Sequence, residues 1–217
     1  MSTVDMAVLL EDLARARPVF HSEADFQHAL AWAWQQRQPD AAIRLEYRIP
    51  FTGGRAYADL WVRDSSGVTC VELKYWSRLV EVDVAGERFS LANQGAQDLS
   101  RYDFIKDLMR VEHAVAEGHA TRGYVIALSN DSSFWTTRRP GTIDEAFRLH
   151  DERRLGGQLA WSEAAGAGTI RRRESALNLA GEYDLNWRPY SRVAEVLRGE
   201  FRYLLVHVAP LSTRKPL

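Results

Sequence analysis

Cysteine and long apolar runs are scarce in this sequence, and each scarcity excludes a class of protein. Cys70 is the only cysteine in 217 residues, which excludes an internal disulfide and a multi-cysteine zinc site. A lone cysteine also fits a reducing compartment, so we predict a cytoplasmic protein. The sequence contains no apolar run of about 18 residues, and its first residues do not resemble a signal peptide, so we expect no membrane partner. The six histidines lack zinc-enzyme spacing, and no glycine-rich nucleotide-binding motif occurs.

The basic residues are 25 Arg and only 3 Lys, and arginine suits bidentate contacts with phosphate. The net charge of −1 provides no overall basic field. The charge is nevertheless uneven, because residues 1–130 carry 14 Lys and Arg against 18 Asp and Glu, whereas residues 131–217 carry 14 against 11. Solvated surface arginines explain this asymmetry equally well, so charge alone identifies no partner.

Hydrophobic spacing predicts a mixed α/β fold of the α+β type, built on one mixed sheet. Ser22 is a candidate helix cap and Pro39 a helix stop. Gly53–Gly54 and Ser65–Ser66–Gly67 supply turns between three successive strands, which favours an antiparallel meander. In chain order we predict a helix over 4–16, a helix between Ser22 and Pro39, and strands over 42–50, 55–63 and 68–76. A polar linker then leads to a helix over 91–117, which is followed by a strand over 122–131.

The pattern divides the chain into three segments, although no linker composition separates them. Residues 1–18 form an N-terminal helix, residues 19–131 a core, and residues 132–217 a mixed extension. We expect the extension to pack on the core and to complete the same domain. Within it the pattern predicts a short helix over 142–150 and strands over 182–190 and 201–209.

The second and third predicted strands carry charged residues where a core-facing strand should be apolar. Alternation predicts Asp59 on one face of its strand with Tyr57 and Trp61, and Glu72 and Lys74 together on one face of the next. Two carboxylates on adjacent strands repel each other, and burial raises that cost. A divalent cation removes it, and carboxylate oxygens are ligands that Mg²⁺ prefers. An ammonium group beside such an ion completes the parts needed for phosphodiester hydrolysis.

These residues resemble the signature of the PD-(D/E)XK nuclease superfamily, which includes restriction endonucleases and archaeal Holliday-junction resolvases. The match consists of Asp59 in "YADLW" and Glu72–Leu73–Lys74 in "VELKY". Glu23 in "HSEADFQ" matches an additional acidic residue of resolvase-like members. Ala58 stands where the family usually has proline. The resemblance covers residues 19–131 and implies a restriction-endonuclease-like core of helix, three strands, helix and strand.

The resemblance implies a metal-dependent endonuclease that hydrolyses DNA phosphodiester bonds in restriction, phage defence or repair, as a homodimer or within a larger complex. It implies that Asp59, Glu72 and the Leu73 carbonyl bind Mg²⁺, with Mn²⁺ as a substitute, and that Glu23 binds the metal directly or through water. Lys74 would position the attacking water. Gln97, on the long helix, would border the site.

Other interpretations of the same residues remain open. Asp59, Glu72 and Lys74 are also compatible with a solvated sheet face, where an ion pair contributes almost nothing to stability. Glu23 is also compatible with a helix N-terminus that favours acidic residues for its dipole alone. For the whole chain, the alternatives are a catalytically inactive, nuclease-like module that binds DNA or protein, and a structural subunit of a larger complex.

Overall fold

The computed structural model describes residues 4–51 and 55–210, and the mixed α+β class is confirmed. The described helices are α1 (Met6–Ala16), α2 (Glu23–Arg37), α3 (Gln97–Ala116) and α4 (Ala167–Ile170). The described strands are β1 (Ala42–Ile49), β2 (Ala56–Asp64), β3 (Gly67–Trp76), β4 (Val80–Val84), β5 (Glu87–Leu91), β6 (Arg122–Ser129), β7 (Arg154–Leu159), β8 (Leu177–Asp184), β9 (Trp187–Arg192) and β10 (Glu200–Val208). None of the helices in the described ranges has the length and apolar run needed to cross a membrane.

A six-stranded mixed sheet with the order β1-β2-β3-β6-β10-β9 forms the centre of the molecule. Strands β1, β2 and β3 form the predicted antiparallel meander, and their β-branched and aromatic residues favour extended structure. Strand β6 then pairs parallel to β3, with α3 in the crossover between them. Strands β10 and β9 extend the sheet antiparallel beyond β6, so the last part of the chain contributes to the same sheet as the first.

Each face of the sheet carries its own apolar core. Helices α1 and α2 cover one face, where Leu9, Phe26 and Leu30 pack against Leu73 of the sheet. Helix α2 begins where predicted, because the Ser22 hydroxyl accepts a hydrogen bond from the Asp25 N–H. The opposite face packs against α3, whose buried residues include Phe104, Ile105, Leu108 and Val111.

Four regions of the chain differ from their predicted structure. The strand predicted over 182–190 covers the end of β8, a two-residue connection and the start of β9. The segment interpreted as a polar linker forms the hairpin β4–β5, so α3 begins at Gln97 instead of residue 91. The predicted helix over 142–150 is reduced to a 3₁₀ turn at Glu145–Phe147. The glycine-rich segment after it contains β7, which pairs with β8 in a separate two-stranded sheet.

Candidate active site

The regular pairing between β2 and β3 ends at Asp59. The two strands are paired from Leu60 to Asp64. Ala58 and Trp61 belong to the core beside α3, whereas Leu60 belongs to the core beside α1 and α2. A regular strand would place Ala58 and Leu60 on the same face. The predicted alternation along β2 is therefore wrong at this position, because the backbone changes direction at Asp59.

Beyond the last residue pair with β2, two carboxylates accept the backbone hydrogen bonds that β3 would otherwise donate to a neighbouring strand. The Leu73 N–H donates a hydrogen bond to Asp59 Oδ2 at 2.5 Å. Two residues further along, the Tyr75 N–H donates to Glu23 Oε2 at 2.9 Å, which brings the first residue of α2 to the same strand. Buried N–H groups need acceptors, so both acids stabilise the open end of β3. In the described residues, each acid has one oxygen without a hydrogen bond and thus available to a ligand.

Glu72 and Lys74 lie on the face of β3 opposite to Leu73 and Tyr75, as the alternation along β3 predicts. On that face they contact two charged residues of α3. Glu72 is only 2% exposed, and its Oε1 accepts a hydrogen bond from the Arg110 guanidinium at 2.8 Å. The Lys74 ammonium lies 2.7 Å from Asp107 Oδ2. Arg110 also donates to Asp107, so one chain of ion pairs joins Lys74 to Glu72.

We call these six side chains the carboxylate cluster: Glu23, Asp59, Glu72, Lys74, Asp107 and Arg110. Burial raises the pKa of Asp59 to about 6, and Glu23 adds to the increase, whereas the Leu73 hydrogen bond and Lys74 oppose it. Burial, followed by the Asp107 charge, raises the pKa of Glu72 well above its usual value. Burial acts to lower the pKa of Lys74, but Asp107 and Glu23 outweigh it and the net shift is upward. The lysine therefore stays charged beside Asp59 and Glu72, whose ionisation burial disfavours.

The acids of the carboxylate cluster outnumber its cationic side chains, an imbalance that a divalent cation would offset. Four carboxylates face two cationic side chains, so full ionisation leaves an excess of negative charge. A bound cation offsets that excess, and Mg²⁺ commonly takes one or two carboxylates while water and substrate phosphate complete its shell. The free oxygens of Asp59 and Glu72 and the Leu73 carbonyl between them are the candidate ligands. Residues 4–51 and 55–210 contain no group of three or more His, Cys, Asp or Glu side chains arranged to hold a metal ion.

Five of the predicted site residues contribute to this region, and one does not. Asp59, Glu72, Leu73, Lys74 and Glu23 are linked by the contacts described above. Gln97 instead donates hydrogen bonds to Asp131 Oδ2 and to the Gln94 carbonyl. It precedes Asp107 by ten helical residues, a rise of about 15 Å along α3, so it does not join the carboxylate cluster.

Sequence reasoning missed four polar residues of the site. Asp107 and Arg110 lie one helical turn apart beside the apolar stripe of α3, and this interruption of the stripe was the available signal. Glu46, opposite Asp59 on β1, has a φ of 49°, which is uncommon for a residue other than glycine. The Gln27 amide donates to Glu46 Oε1 and to the Asp59 carbonyl, both at 2.8 Å, and so fixes the position of Asp59.

Arg110→Met is expected to lower the free energy of unfolding by about 2–4 kcal/mol at pH 8, because it leaves the buried Glu72 charge without its cation. At pH 5 the loss should be smaller, since Glu72 has a raised pKa and is neutralised by protonation. Urea unfolding at both pH values measures the difference. Arg88→Met is the matched control, since it breaks only exposed ion pairs, with Glu81 and Asp83, and should cost less than about 1 kcal/mol. Equal losses for the two variants, or no pH dependence, would contradict the assigned role of Arg110.

The chain matches no protein-family model, no curated protein and no solved structure. A function for the carboxylate cluster follows from the chemistry of its own side chains.

Proposed function

We propose that this protein is a divalent-metal-dependent nuclease of the PD-(D/E)XK type that hydrolyses phosphodiester bonds in DNA. The observation that carries the proposal is the hydrogen bond from the Leu73 N–H to Asp59. It joins an acid of the second strand to the strand that bears Glu72 and Lys74, at the point where the two strands separate. The three residues of the sequence signature are thus drawn together by contacts that the signature itself does not specify.

The order of elements supports a restriction-endonuclease-like core. Helix α2 is followed by the three-stranded meander, then by α3 and by β6, which is parallel to β3. Asp59 lies on the second strand of the meander, Glu72 and Lys74 lie on the third, and Glu23 begins the helix that precedes them. Strands β9 and β10 extend this core on the side of the sheet away from β1.

Each side chain has a distinct task in hydrolysis. Asp59 and Glu72, with the Leu73 carbonyl, would hold the divalent cation, and Glu23 would contact it directly or through water. When bound, the cation supplies Lewis-acid stabilisation of the charge that develops on the phosphate. The Lys74 ammonium orients the attacking water and balances charge on a phosphate oxygen. Asp107 holds that ammonium in place, since a catalytic group acts only from a fixed position.

One observation favours the alternative of a catalytically inactive, nuclease-like binding module. Lys74 and Glu72 are already paired with Asp107 and Arg110, so neither charge requires a ligand for neutralisation. An inactive module retains the fold and nucleic-acid or protein binding, but it cleaves nothing with any metal.

Incubation with supercoiled, linear, single-stranded and branched DNA, and with RNA of the same sequences, separates these functions. The nuclease is expected to cleave at least one DNA substrate with Mg²⁺ or Mn²⁺ and none when a chelator is present. Cleavage that is confined to RNA would correct the substrate class. Intact substrates in every metal condition, with purified folded protein, would contradict the proposed activity and leave the binding module.

A further inference from the structure

The sheet edge that carries the carboxylate cluster continues into a surface rich in arginine. Strands β3 and β6 end together at this edge, where Trp76 pairs with Ser129. Strand β2 begins there, three residues before Asp59. Strand β10 begins beside the end of β6, and β9 ends beside the start of β10. Residues that follow β3, β6 and β9 therefore lie along the same edge as the acids.

Two adjoining clefts line this surface and share Arg138. The first, with a volume of about 490 Å³, is lined by Arg78, Arg138, Arg192, Arg198 and Trp135. The second, of about 400 Å³, adds Arg139, Arg148 and Arg153. We call the surface formed by these seven arginines the arginine edge. It is contributed mainly by residues 132–200.

Two of the three acidic residues that line these clefts already pair with arginine, and the third, Glu145, accepts a hydrogen bond from the Gly141 N–H. Asp131 accepts hydrogen bonds from Arg78 and from the Ser133 N–H, and Glu200 accepts from Arg202. By contrast, Arg138 and Arg139 are exposed and form no ion pair with the residues that the structure describes.

Arg198 supplies another available cation. In the described ranges its guanidinium donates one long hydrogen bond, to Asn93 at 3.4 Å. The Asn130 amide also donates to the Arg198 carbonyl and so ties this residue to the end of β6. The arginine edge therefore presents several guanidinium groups without carboxylate partners.

The spacing of the sheet relates this surface to the site. Two strands, β6 and β10, separate β3 from β9, and neighbouring strands lie about 4.8 Å apart. The arginine edge thus extends about 14 Å sideways from the carboxylate cluster. Phosphates follow one another at about 3.4 Å along the axis of duplex DNA, so this distance corresponds to about four nucleotides. If the scissile phosphate of a duplex lies at Lys74, phosphates about four nucleotides away would lie beside these arginines.

We infer that the arginine edge binds the phosphodiester backbone of the nucleic acid that flanks the scissile bond, an inference that rests on the proposed nuclease function. Arginine forks match phosphate oxygens in a bidentate manner. Contacts of this kind fix the register of the substrate without reading its sequence.

Fluorescence anisotropy with a labelled DNA duplex of about three helical turns tests the inference, with Ca²⁺ replacing Mg²⁺ to prevent cleavage. Arg138→Gln/Arg139→Gln is expected to weaken binding by at least about tenfold and to reduce the salt slope of log K by about 2, since two phosphate contacts are lost. Arg198→Gln should reduce that slope by about 1. Arg44→Gln/Arg63→Gln is the matched control. These exposed arginines lie toward the start of β1 and the end of β2, on the side of the sheet away from the arginine edge.

Equal effects of the control and the arginine-edge variants, an unchanged salt slope, or no DNA binding by the wild type would overturn the inference. A competition experiment uses polyglutamate at matched charge. If polyglutamate displaces DNA from the wild type but not from Arg138→Gln/Arg139→Gln, the surface binds an acidic protein and the inference is overturned. If the wild type cleaves DNA while the arginine variants bind normally, the inference fails alone. If nothing cleaves but binding depends on Arg138 and Arg139, the proposed nuclease activity fails alone.

Discussion

Asp59→Asn is expected to reduce metal-dependent DNA cleavage by roughly a thousandfold or more while the protein remains folded. The amide has the shape of the carboxyl group, and its oxygen can still accept the hydrogen bond from the Leu73 N–H. What the variant loses is the negative charge that would hold the divalent cation. The loss of cleavage therefore reports on metal binding and not on the opening of β3. Initial rates on the preferred DNA substrate measure the effect.

Thermal stability should change in the opposite direction to activity. The pKa of Asp59 is raised to about 6, above its usual value, so the folded state favours the protonated form. Ionisation of this residue therefore costs stability as the pH rises through that range, and above it the cost is fully present. Asp59→Asn removes the charge, so its melting temperature should exceed that of the wild type at pH 8. At pH 3.5 the two should agree.

Asp40→Asn provides the matched control for Asp59→Asn, because Asp40 is exposed on the turn between α2 and β1. It should change neither cleavage nor melting temperature. Cleavage by Asp59→Asn within about fivefold of the wild type would show that the Asp59 charge is not part of the chemistry. A lower melting temperature at pH 8 would contradict the stability cost assigned to the Asp59 charge.

Lys74→Met is expected to lower kcat by about a hundredfold to a thousandfold, with little change in DNA affinity or in metal affinity. Methionine retains an unbranched apolar stem, so the packing of β3 against α3 should survive. Asp107 keeps Arg110 as its partner, so the variant does not leave a buried acid without a cation. The missing component is the ammonium that orients water and balances charge on the phosphate. Cleavage rates at saturating DNA, together with anisotropy in Ca²⁺, separate the chemical step from binding.

Lys106→Met is the control for this experiment, since Lys106 is exposed on α3 one residue before Asp107. It should cleave like the wild type. If Lys74→Met and Lys106→Met have the same kcat, the ammonium beside Asp107 has only a structural role. If Lys74→Met loses DNA affinity in proportion to cleavage, Lys74 is a phosphate contact and not a catalytic residue.

The sequence predicted the limits of strands most accurately where the local residue pattern agrees with the tertiary structure. Strands β1, β2, β3 and β6 were predicted within about two residues of their observed limits, because β-branched and aromatic residues are bounded there by turn-forming residues. The positions of Glu72 and Lys74 on a common face followed from the alternation along β3.

Two local errors have identifiable physical causes. The hairpin β4–β5 was taken for a linker because of its polar residues, although its valines alternate and its turn residues Ala85 and Gly86 have φ values of 50° and 84°. Such a turn favours two-residue hairpins. The predicted direction of the Asp59 side chain was wrong because its carboxylate accepts a hydrogen bond from the Leu73 N–H, 14 residues away, and alternation describes only local geometry.

Contacts between distant elements could not be predicted from the sequence. Asp107 and Arg110 face the site because α3 has one particular position over β3, which the packing of the whole core determines. Gln97 was predicted because the long helix resembles a polar helix that borders such sites, but its amide donates a hydrogen bond to Asp131. Helical spacing predicts which residues share a face of α3. Which of those residues lies over β3 depends on how the helix packs on the sheet.

The central claim is that Asp59 and Glu72 together bind one divalent cation. Titration with Mn²⁺, followed by the electron paramagnetic resonance signal of the free ion, measures this directly in the absence of any substrate. The wild type is expected to bind Mn²⁺, and both Asp59→Asn and Glu72→Gln should bind it at least about tenfold more weakly. Equal Mn²⁺ binding by all three proteins, or none by the folded wild type, would contradict the claim.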